Sequence, residues 1–139
     1  MNTDYKTIKI SAKGARIEEK RSIFVAIGIK VETKEQVQSY LEDVKREQKK
    51  ATHNAWAYRL FGKDGEVEED CSDDGELKGC AGKPILNTLN SNNIVNTLMI
   101  VSRFYGGINL GRGGLVRNYS KSSLQLLKLV GTIDLTDKD

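Results

Sequence analysis

The chain is poor in the residues that build the commonest sites of small proteins. It holds one histidine, His53, and two cysteines, Cys71 and Cys80, among 139 residues. A zinc site built on a pair of histidines is therefore excluded, and two cysteines are too few for a disulfide scaffold or a four-cysteine zinc site. We expect both thiols to be reduced, and we predict neither a metal site nor a cofactor site.

Long apolar runs are also missing. No segment approaches the roughly 20 apolar residues of a membrane span, and the N-terminus has no apolar signal core. The chain has one proline and no tract with the composition of a disordered segment. We therefore expect a single soluble, cytoplasmic domain over residues 1–139 with no membrane partner, long enough to bury a core without metal or disulfide support.

The net charge is only +3, but the charges are segregated along the chain. Residues 64–76 hold eight acids and no base, whereas residues 77–133 hold seven bases and no acid. Such asymmetry indicates a partner that is attracted electrostatically. An alternative stays open, in which the acidic loop neutralises the basic half across the folded surface.

Alternating apolar and polar residues predict several strands. The pattern covers residues 5–13 and 22–31, which we expect to pair antiparallel, and residues 53–61. A mostly apolar run at 95–101 is typical of a central strand, and a last short strand is predicted at 132–135.

Helices are predicted between these strands. Thr33 and Gln36 form a capping box, which opens a helix with apolar residues at i, i+3, i+4 and i+7. Pro84 suits the first turn of a second helix, and a third runs from Leu115 to a stop at Gly131. The order of elements predicts an α/β (α+β) two-layer sandwich with a mixed sheet and helices on one face.

Residues 103–119 are the most informative segment. They read RFYGGINLGRGGLVRNY, with five glycines, three arginines and no carboxylate, between an apolar strand and an amphipathic helix. Glycine lets a ligand approach the backbone closely, and backbone N–H groups at a helix start favour anions. The segment therefore predicts contact with the phosphates of a nucleic acid or a ribosomal surface. The structural alternative is a pair of tight turns that need positive φ.

Three familiar motifs are incomplete. Val116 stands where a dinucleotide fingerprint would need its third glycine. A segment like a phosphate loop has Leu77 and Pro84 in place of its first glycine and its hydroxyl residue. A calcium loop starting at Asp70 would need glutamate at its twelfth position, which is Ala81.

The sequence offers little for catalysis. His53 could in principle pair with Cys71 or Cys80 as a nucleophile, but neither cysteine has a basic flank, and Cys71 lies among carboxylates. A structural histidine at the start of a strand is the simpler interpretation. We predict that the protein is not an enzyme.

Several motifs in a fixed order cover most of residues 20–120. They are HNAWAY at 53–58, DDGE at 73–76, Gly79, AGKPIL at 81–86, RFYGG at 103–107, LG at 110–111, GGLVR at 113–117 and Tyr119, with a looser KRSIF at 20–24. Their combination closely resembles the IMPACT family, the YigZ-like proteins.

The resemblance implies a fold like the second domain of ribosomal protein S5 and a role near translation. Eukaryotic relatives are regulators that compete for the activator of a stress kinase, whereas most bacterial relatives lack an assigned activity. Bacterial relatives usually add a C-terminal ferredoxin-like domain, which we expect to be absent here because the sequence ends at Asp139. The chain departs from the family pattern at Leu77, Cys80 and Arg112, the last of which makes the glycine-rich segment more basic.

We predict a binding module that contacts RNA or the ribosome, or else a translation-associated protein, in a regulatory role. Cations, one aromatic ring for stacking and glycines that admit close approach form the candidate anion-binding site: Lys83, Arg103, Tyr105, Gly106, Gly107, Gly111, Arg112, Gly113 and Arg117. The family motifs supply a second candidate surface: His53, Asp73, Asp74, Gly75 and Glu76.

Two other hypotheses stay open. A protein–protein regulator would use the acidic loop and the charged helix at 33–50, so that charge reversal at Asp73 and Asp74 would matter while the arginines would not. An enzyme acting on a phosphorylated small molecule would need Asp73, Asp74, Lys83 and Arg103 to converge on one deep pocket.

Overall fold

The computed structural model describes residues 4–135, which form seven strands and three helices. In chain order they are β1 (Lys6–Ile8), β2 (Ala12–Glu19), β3 (Ser22–Lys30), α1 (Lys34–Glu47), β4 (His53–Phe61), β5 (Val67–Ser72), α2 (Gly82–Ser91), β6 (Thr97–Phe104), α3 (Gly111–Val130) and β7 (Thr132–Asp134). Five strands form the main sheet in the order β2-β3-β6-β4-β5, and β1 pairs with β7. Within residues 4–135, no helix is both long enough and apolar enough to cross a membrane.

Every strand pair of the main sheet is antiparallel. β6 is central, and its residues from Thr97 to Arg103 are buried. The predicted α/β sandwich class is confirmed, but the sheet is antiparallel rather than mixed. Hydrophobic periodicity reports which residues face a core, whereas strand direction depends on connections that the pattern does not show.

The first predicted strand is divided. Lys6–Ile8 pairs with β7, and the strand that pairs with β3 is Ala12–Glu19 rather than residues 5–13. Ile10, which carried the alternating pattern, is 58% exposed in the bend between β1 and β2. An alternating pattern of apolar and polar residues can continue through a bend, so it does not mark where a strand ends. Most residues of β2 are polar or small, so no apolar pattern predicted this strand.

A two-residue turn, Lys20-Arg21, joins β2 to β3. Both residues have positive φ, 47° and 69°. This sign pattern is typical of a type I′ hairpin turn, which usually takes Asn-Gly because other side chains crowd the backbone there. The turn therefore carries two exposed cations in a conformation that neither residue favours.

Helix α1 covers one face of the sheet. It begins at the predicted capping box, in which the Thr33 hydroxyl accepts the Gln36 N–H at 3.2 Å and the Gln36 side chain accepts the Thr33 N–H at 3.3 Å. Val37 and Val44 pack with Leu98 and other residues of β3, β4 and β6.

Helices α2 and α3 pack on the opposite face, around Met99, Val101 and Tyr119. The prediction of helices on one face is therefore wrong. The reason is visible in β6, whose apolar residues point alternately to the two helical layers.

The boundaries of these two helices differ in part from those predicted. Pro84 lies in the first turn of α2, and Gly131 ends α3, both as expected. However, α3 begins at Gly111, four residues before Leu115. The last three glycines of the informative segment are therefore helical.

The acidic segment, which we predicted as a loop, forms an edge strand over Val67–Ser72. β5 pairs with β4, and the Arg59 Nε donates to the Glu69 carboxylate directly opposite at 3.0 Å. Lys34 of α1 approaches Glu68 at 3.1 Å. Runs of Glu and Asp have low strand propensity, so the pairing with β4 overrides the local preference.

Candidate nucleic-acid interface

Residues 105–110, the glycine loop, connect β6 to α3. Gly106 packs so tightly on the hairpin turn that an added Cβ would lie 2.2 Å from the Arg21 carbonyl carbon. Gly107 and Gly111 have φ of 89° and 73°. Tight packing and positive φ thus explain these three glycines, as the structural alternative required.

Arg103 lies inside the protein rather than on its surface. It is 5% exposed, and its guanidinium nitrogen Nη1 lies 3.0 Å from both carboxylate oxygens of Glu76. Nη2 donates to the Ser22 hydroxyl at 3.2 Å. The structure therefore makes Arg103 an internal ion-pair partner, not the surface phosphate contact that we predicted.

Glu76 is the centre of a buried cluster. Besides Arg103 it accepts a hydrogen bond from the Tyr119 hydroxyl at 2.7 Å, and the His53 Nε2 lies at 3.5 Å. Burial, followed by the hydrogen bond to Glu76, raises the pKa of Tyr119 far above its usual value, so Tyr119 remains a donor. The cluster joins β4, β6, α3 and the loop before α2.

His53 is a satisfied structural histidine. Its Nδ1 lies 2.9 Å from the Asp74 carbonyl oxygen, and the Asp74 carboxylate accepts the Asn54 N–H at 2.7 Å. Both cysteines are free thiols, and burial raises the pKa of Cys71 against the opposing effect of Lys83. The simpler interpretation of His53 thus agrees with its contacts.

Asp73 caps helix α2. Its carboxylate accepts three backbone N–H groups, those of Gly79, Ala81 and Gly82, at 2.8–3.2 Å. Burial acts to raise the pKa of Asp73, but these hydrogen bonds outweigh it and hold the pKa below its ordinary value. The motif residues Asp73, Asp74 and Glu76 therefore bond within the fold and do not form an exposed acidic surface.

The other predicted cations do reach solvent. Lys83 in the first turn of α2, and Arg112 and Arg117 on α3, are all exposed. The Arg112 guanidinium also donates to the Lys78 carbonyl at 3.1 Å, which links α3 to the loop before α2. Tyr105, 48% exposed, lies with its ring 5.2 Å from the Arg103 guanidinium.

A groove between α2 and α3 adds residues that sequence analysis missed. It has a volume of about 580 Å³ and is lined by amides, hydroxyls and two cations, with Leu124 at one side. Its polar members are Asn87, Thr88, Ser91, Asn92, Arg117, Ser120 and Lys121. The i, i+4 spacing of Arg117 and Lys121, which sets both cations on one face of α3, was the sequence pattern that could have predicted this groove.

No carboxylate opposes these cations from their own helices. Residues 82–91 and 111–130 contain no acid, and the first turn of α3 has neither an acidic residue nor a side-chain cap. Three acids of the preceding segment are held elsewhere: Glu76 at Arg103, Asp73 at the start of α2 and Glu69 along β5. The basic half of the sequence therefore forms a basic helical layer in the fold.

The fold and the buried cluster define an α/β domain whose sequence motifs meet at one end of the sheet. The Impact N-terminal domain matches residues 20–127, and the chain belongs to the IMPACT family.

Individual relatives agree with this assignment. YvyE of Bacillus subtilis is 35% identical over 94% of this chain and 58% of its own length. The crystal structure of a hypothetical protein is 31% identical with a TM-score of 0.85, over 93% of this chain and 62% of that one. The two-domain translational regulator Yih1 is 24% identical with a TM-score of 0.58, over 91% of this chain and 49% of that one, which shows a likeness of fold. The chain spans little more than half the length of the bacterial relatives it matches.

Proposed function

We propose that this domain is a regulatory binding module of the cytoplasmic translation machinery that contacts RNA through its α2–α3 layer. The observation that carries the proposal is the acid-free helical layer, on which Lys83, Arg112, Arg117, Lys121 and Lys128 are all exposed. Polyanion binding relies on such clustered cations, because phosphate neutralisation releases counterions.

The chemistry of the α2–α3 groove supports RNA over a simple anion. Amide and hydroxyl groups of Asn87, Thr88 and Asn92 lie beside Arg117 and Lys121. Such groups make the phosphate and sugar contacts that position a nucleic acid. Arg103 takes no part in this contact; it instead lies against the exposed ring of Tyr105, for which we propose stacking on a base.

The link to translation comes from family and fold. Yih1, which shares the fold, is a translational regulator. Family membership supports a related regulatory task for this domain.

The side chains that the two competing hypotheses need are engaged in bonds within the fold. A regulator using Asp73 and Asp74 would need free carboxylates, but both accept backbone hydrogen bonds. An enzyme would need Arg103 to face its substrate, but Glu76 holds it inside. We therefore retain a non-enzymatic module as the proposal.

Binding of a fluorescent single-stranded RNA, measured by anisotropy across salt concentrations, tests this function. Replacing Arg117 and Lys121 by glutamate should weaken binding at least tenfold and reduce the salt slope by roughly 0.7 for each phosphate that the protein no longer neutralises. The matched control reverses Lys45 and Arg46, two exposed cations on α1. Equal effects of the two double variants would refute the α2–α3 site.

A further inference from the structure

We infer that the sheet face beside α1 docks an acidic amphipathic helix of a partner protein. Helix α1 covers only part of that face: its buried residues Val37 and Val44 contact the region around Ile29 and Leu98. The region nearer the β2–β3 hairpin has no helix over it within residues 4–135. It forms a groove with a volume of about 410 Å³.

The floor of this groove is apolar. Ile23 and Val25 of β3 and Phe104 of β6 line it, and Ile23 lies directly opposite Phe104 in the sheet register. Ile23 and Phe104 remain half-buried, as does Ile27 further along β3, whereas Val25 is buried and Leu98 and Ile100 near α1 are fully covered. An uncovered patch of this kind marks an interaction site when its rim is polar.

The shape of the layer favours a helix as the occupant. The opposite face carries two helices, α2 and α3, whereas this face carries α1 alone. Gln48, the C-cap residue of α1, lines the groove, so a second helix placed there would lie beside α1 and complete the layer. The floor offers Ile23 and the ring of Phe104, both half-buried, beside the buried Val25, an apolar surface that suits the apolar stripe of a helix.

The charges around the groove specify an acidic partner. Both charged residues that line it, Lys13 and Arg16, are exposed bases on β2. Lys49 and Lys50, which follow Gln48, are exposed too. Glu18, opposite Ile23, and Glu47, which precedes Gln48, are two acids against these four bases, so the surroundings are basic on balance. A helix with an apolar stripe flanked by Glu or Asp is therefore complementary.

This docking site is independent of the proposed RNA site. Val25 and Ile29 alternate with Phe24 and Ala26 along β3, and the latter two face α2 and α3. The two sites thus lie on opposite faces of the sheet. A negative result for one of the two sites therefore does not contradict the proposal for the other.

The test is a peptide-display selection of helical peptides on the whole chain, followed by affinity measurement of the enriched peptides. We expect apolar residues at i, i+3, i+4 and i+7 with acidic flanks. The double variant Lys13→Glu/Arg16→Glu should bind these peptides at least tenfold more weakly. The matched control Arg117→Glu/Lys121→Glu on the far face should bind them unchanged, and circular dichroism should show both variants folded.

Other results overturn the proposal. They are enrichment of basic or neutral peptides, no enrichment at all, or equal binding by the Lys13→Glu/Arg16→Glu variant. Protection of Ile23 and Phe104 by RNA would assign the groove to nucleic acid, and concentration-dependent dimers that bury the same residues would assign it to a second copy of this chain.

Discussion

Gly106 and Gly113 lie seven residues apart, yet only one of them is required by packing. A Cβ on Gly106 would meet the Arg21 backbone, whereas a Cβ on Gly113 would meet no atom within 4 Å, and its φ is not in the left-handed region. Neither packing nor backbone conformation therefore requires glycine at 113. Close approach of a ligand to the start of α3 is the remaining physical reason within our proposal.

Two alanine substitutions separate these roles. Gly106→Ala should lower the free energy of unfolding by about 1–3 kcal/mol, because the added methyl group overpacks the hairpin turn. Gly113→Ala should leave it unchanged or raise it by up to about 1 kcal/mol, because alanine favours the helix. Urea denaturation gives both values. If Gly113→Ala weakens RNA binding without loss of stability, the phosphate backbone lies against the first turn of α3. Equal destabilisation by Gly106→Ala and Gly113→Ala would contradict the different roles assigned to the two glycines.

The burial of Arg103 against a partner distant in sequence could not be predicted from the pattern of residues around it. Its place in a basic, glycine-rich segment predicted an exposed phosphate contact. Its partner Glu76 is 27 residues earlier, and the antiparallel pairings of β5 with β4 and of β4 with β6 bring the loop with Glu76 to the same end of the sheet as Arg103. Arg112 and Arg117 are exposed, as predicted, although Arg112 also bonds to the distant Lys78 carbonyl.

At the scale of elements, the two helices of the basic layer begin differently. Asp73 satisfies the first N–H groups of α2, but α3 starts at Leu110 without a side-chain cap. Local sequence identified the capping box of α1 because its partners are three residues apart. It missed the cap of α2 because Asp73 lies nine residues before Gly82, across a loop.

The charge of the α2 cap predicts a pH dependence. The folded pKa of Asp73 is depressed, so its stabilisation is present above the unfolded pKa of about 3.9 and is lost as pH falls through the folded value. Asp73→Asn should cost about 1 kcal/mol at neutral pH, because charge-assisted hydrogen bonds become neutral ones. The difference in the free energy of unfolding between Asp73→Asn and the unsubstituted protein should shrink toward zero at acidic pH. Denaturation from pH 7 to 2 measures it, with Asp64→Asn in the exposed β4–β5 turn as control; a difference that widens in acid would contradict the assignment.

At the scale of the whole molecule, the Glu76 cluster ties the helical layer to the sheet. Arg103 on β6, Tyr119 on α3 and His53 on β4 all contact one carboxylate. The ion pair is almost fully buried, with both side chains 6% exposed. Loss of one partner therefore leaves an uncompensated charge in the core.

Removal of that carboxylate should be severe. Glu76→Ala is expected to cost about 3–5 kcal/mol of unfolding free energy, because Arg103 remains buried without its counterion. The double variant Glu76→Gln/Arg103→Met should recover much of this loss, and Glu68→Gln, at an exposed pair on β5, should change little. Urea denaturation measures all three. A Glu76→Ala variant as stable as Glu68→Gln would show that the cluster does not hold the layers together.

The outer strand β5 also bears on self-association. Its free edge displays Glu68, Glu69 and Asp70 in succession, so a second copy aligning there would set carboxylates against carboxylates. Asp73, Asp74 and Glu76 of the acidic run are thus used in bonds inside the fold, while Glu68, Glu69 and Asp70 oppose fibril-like stacking at this edge. A chain rich in β-structure can in this way remain dispersed at high concentration, without any proline on that border.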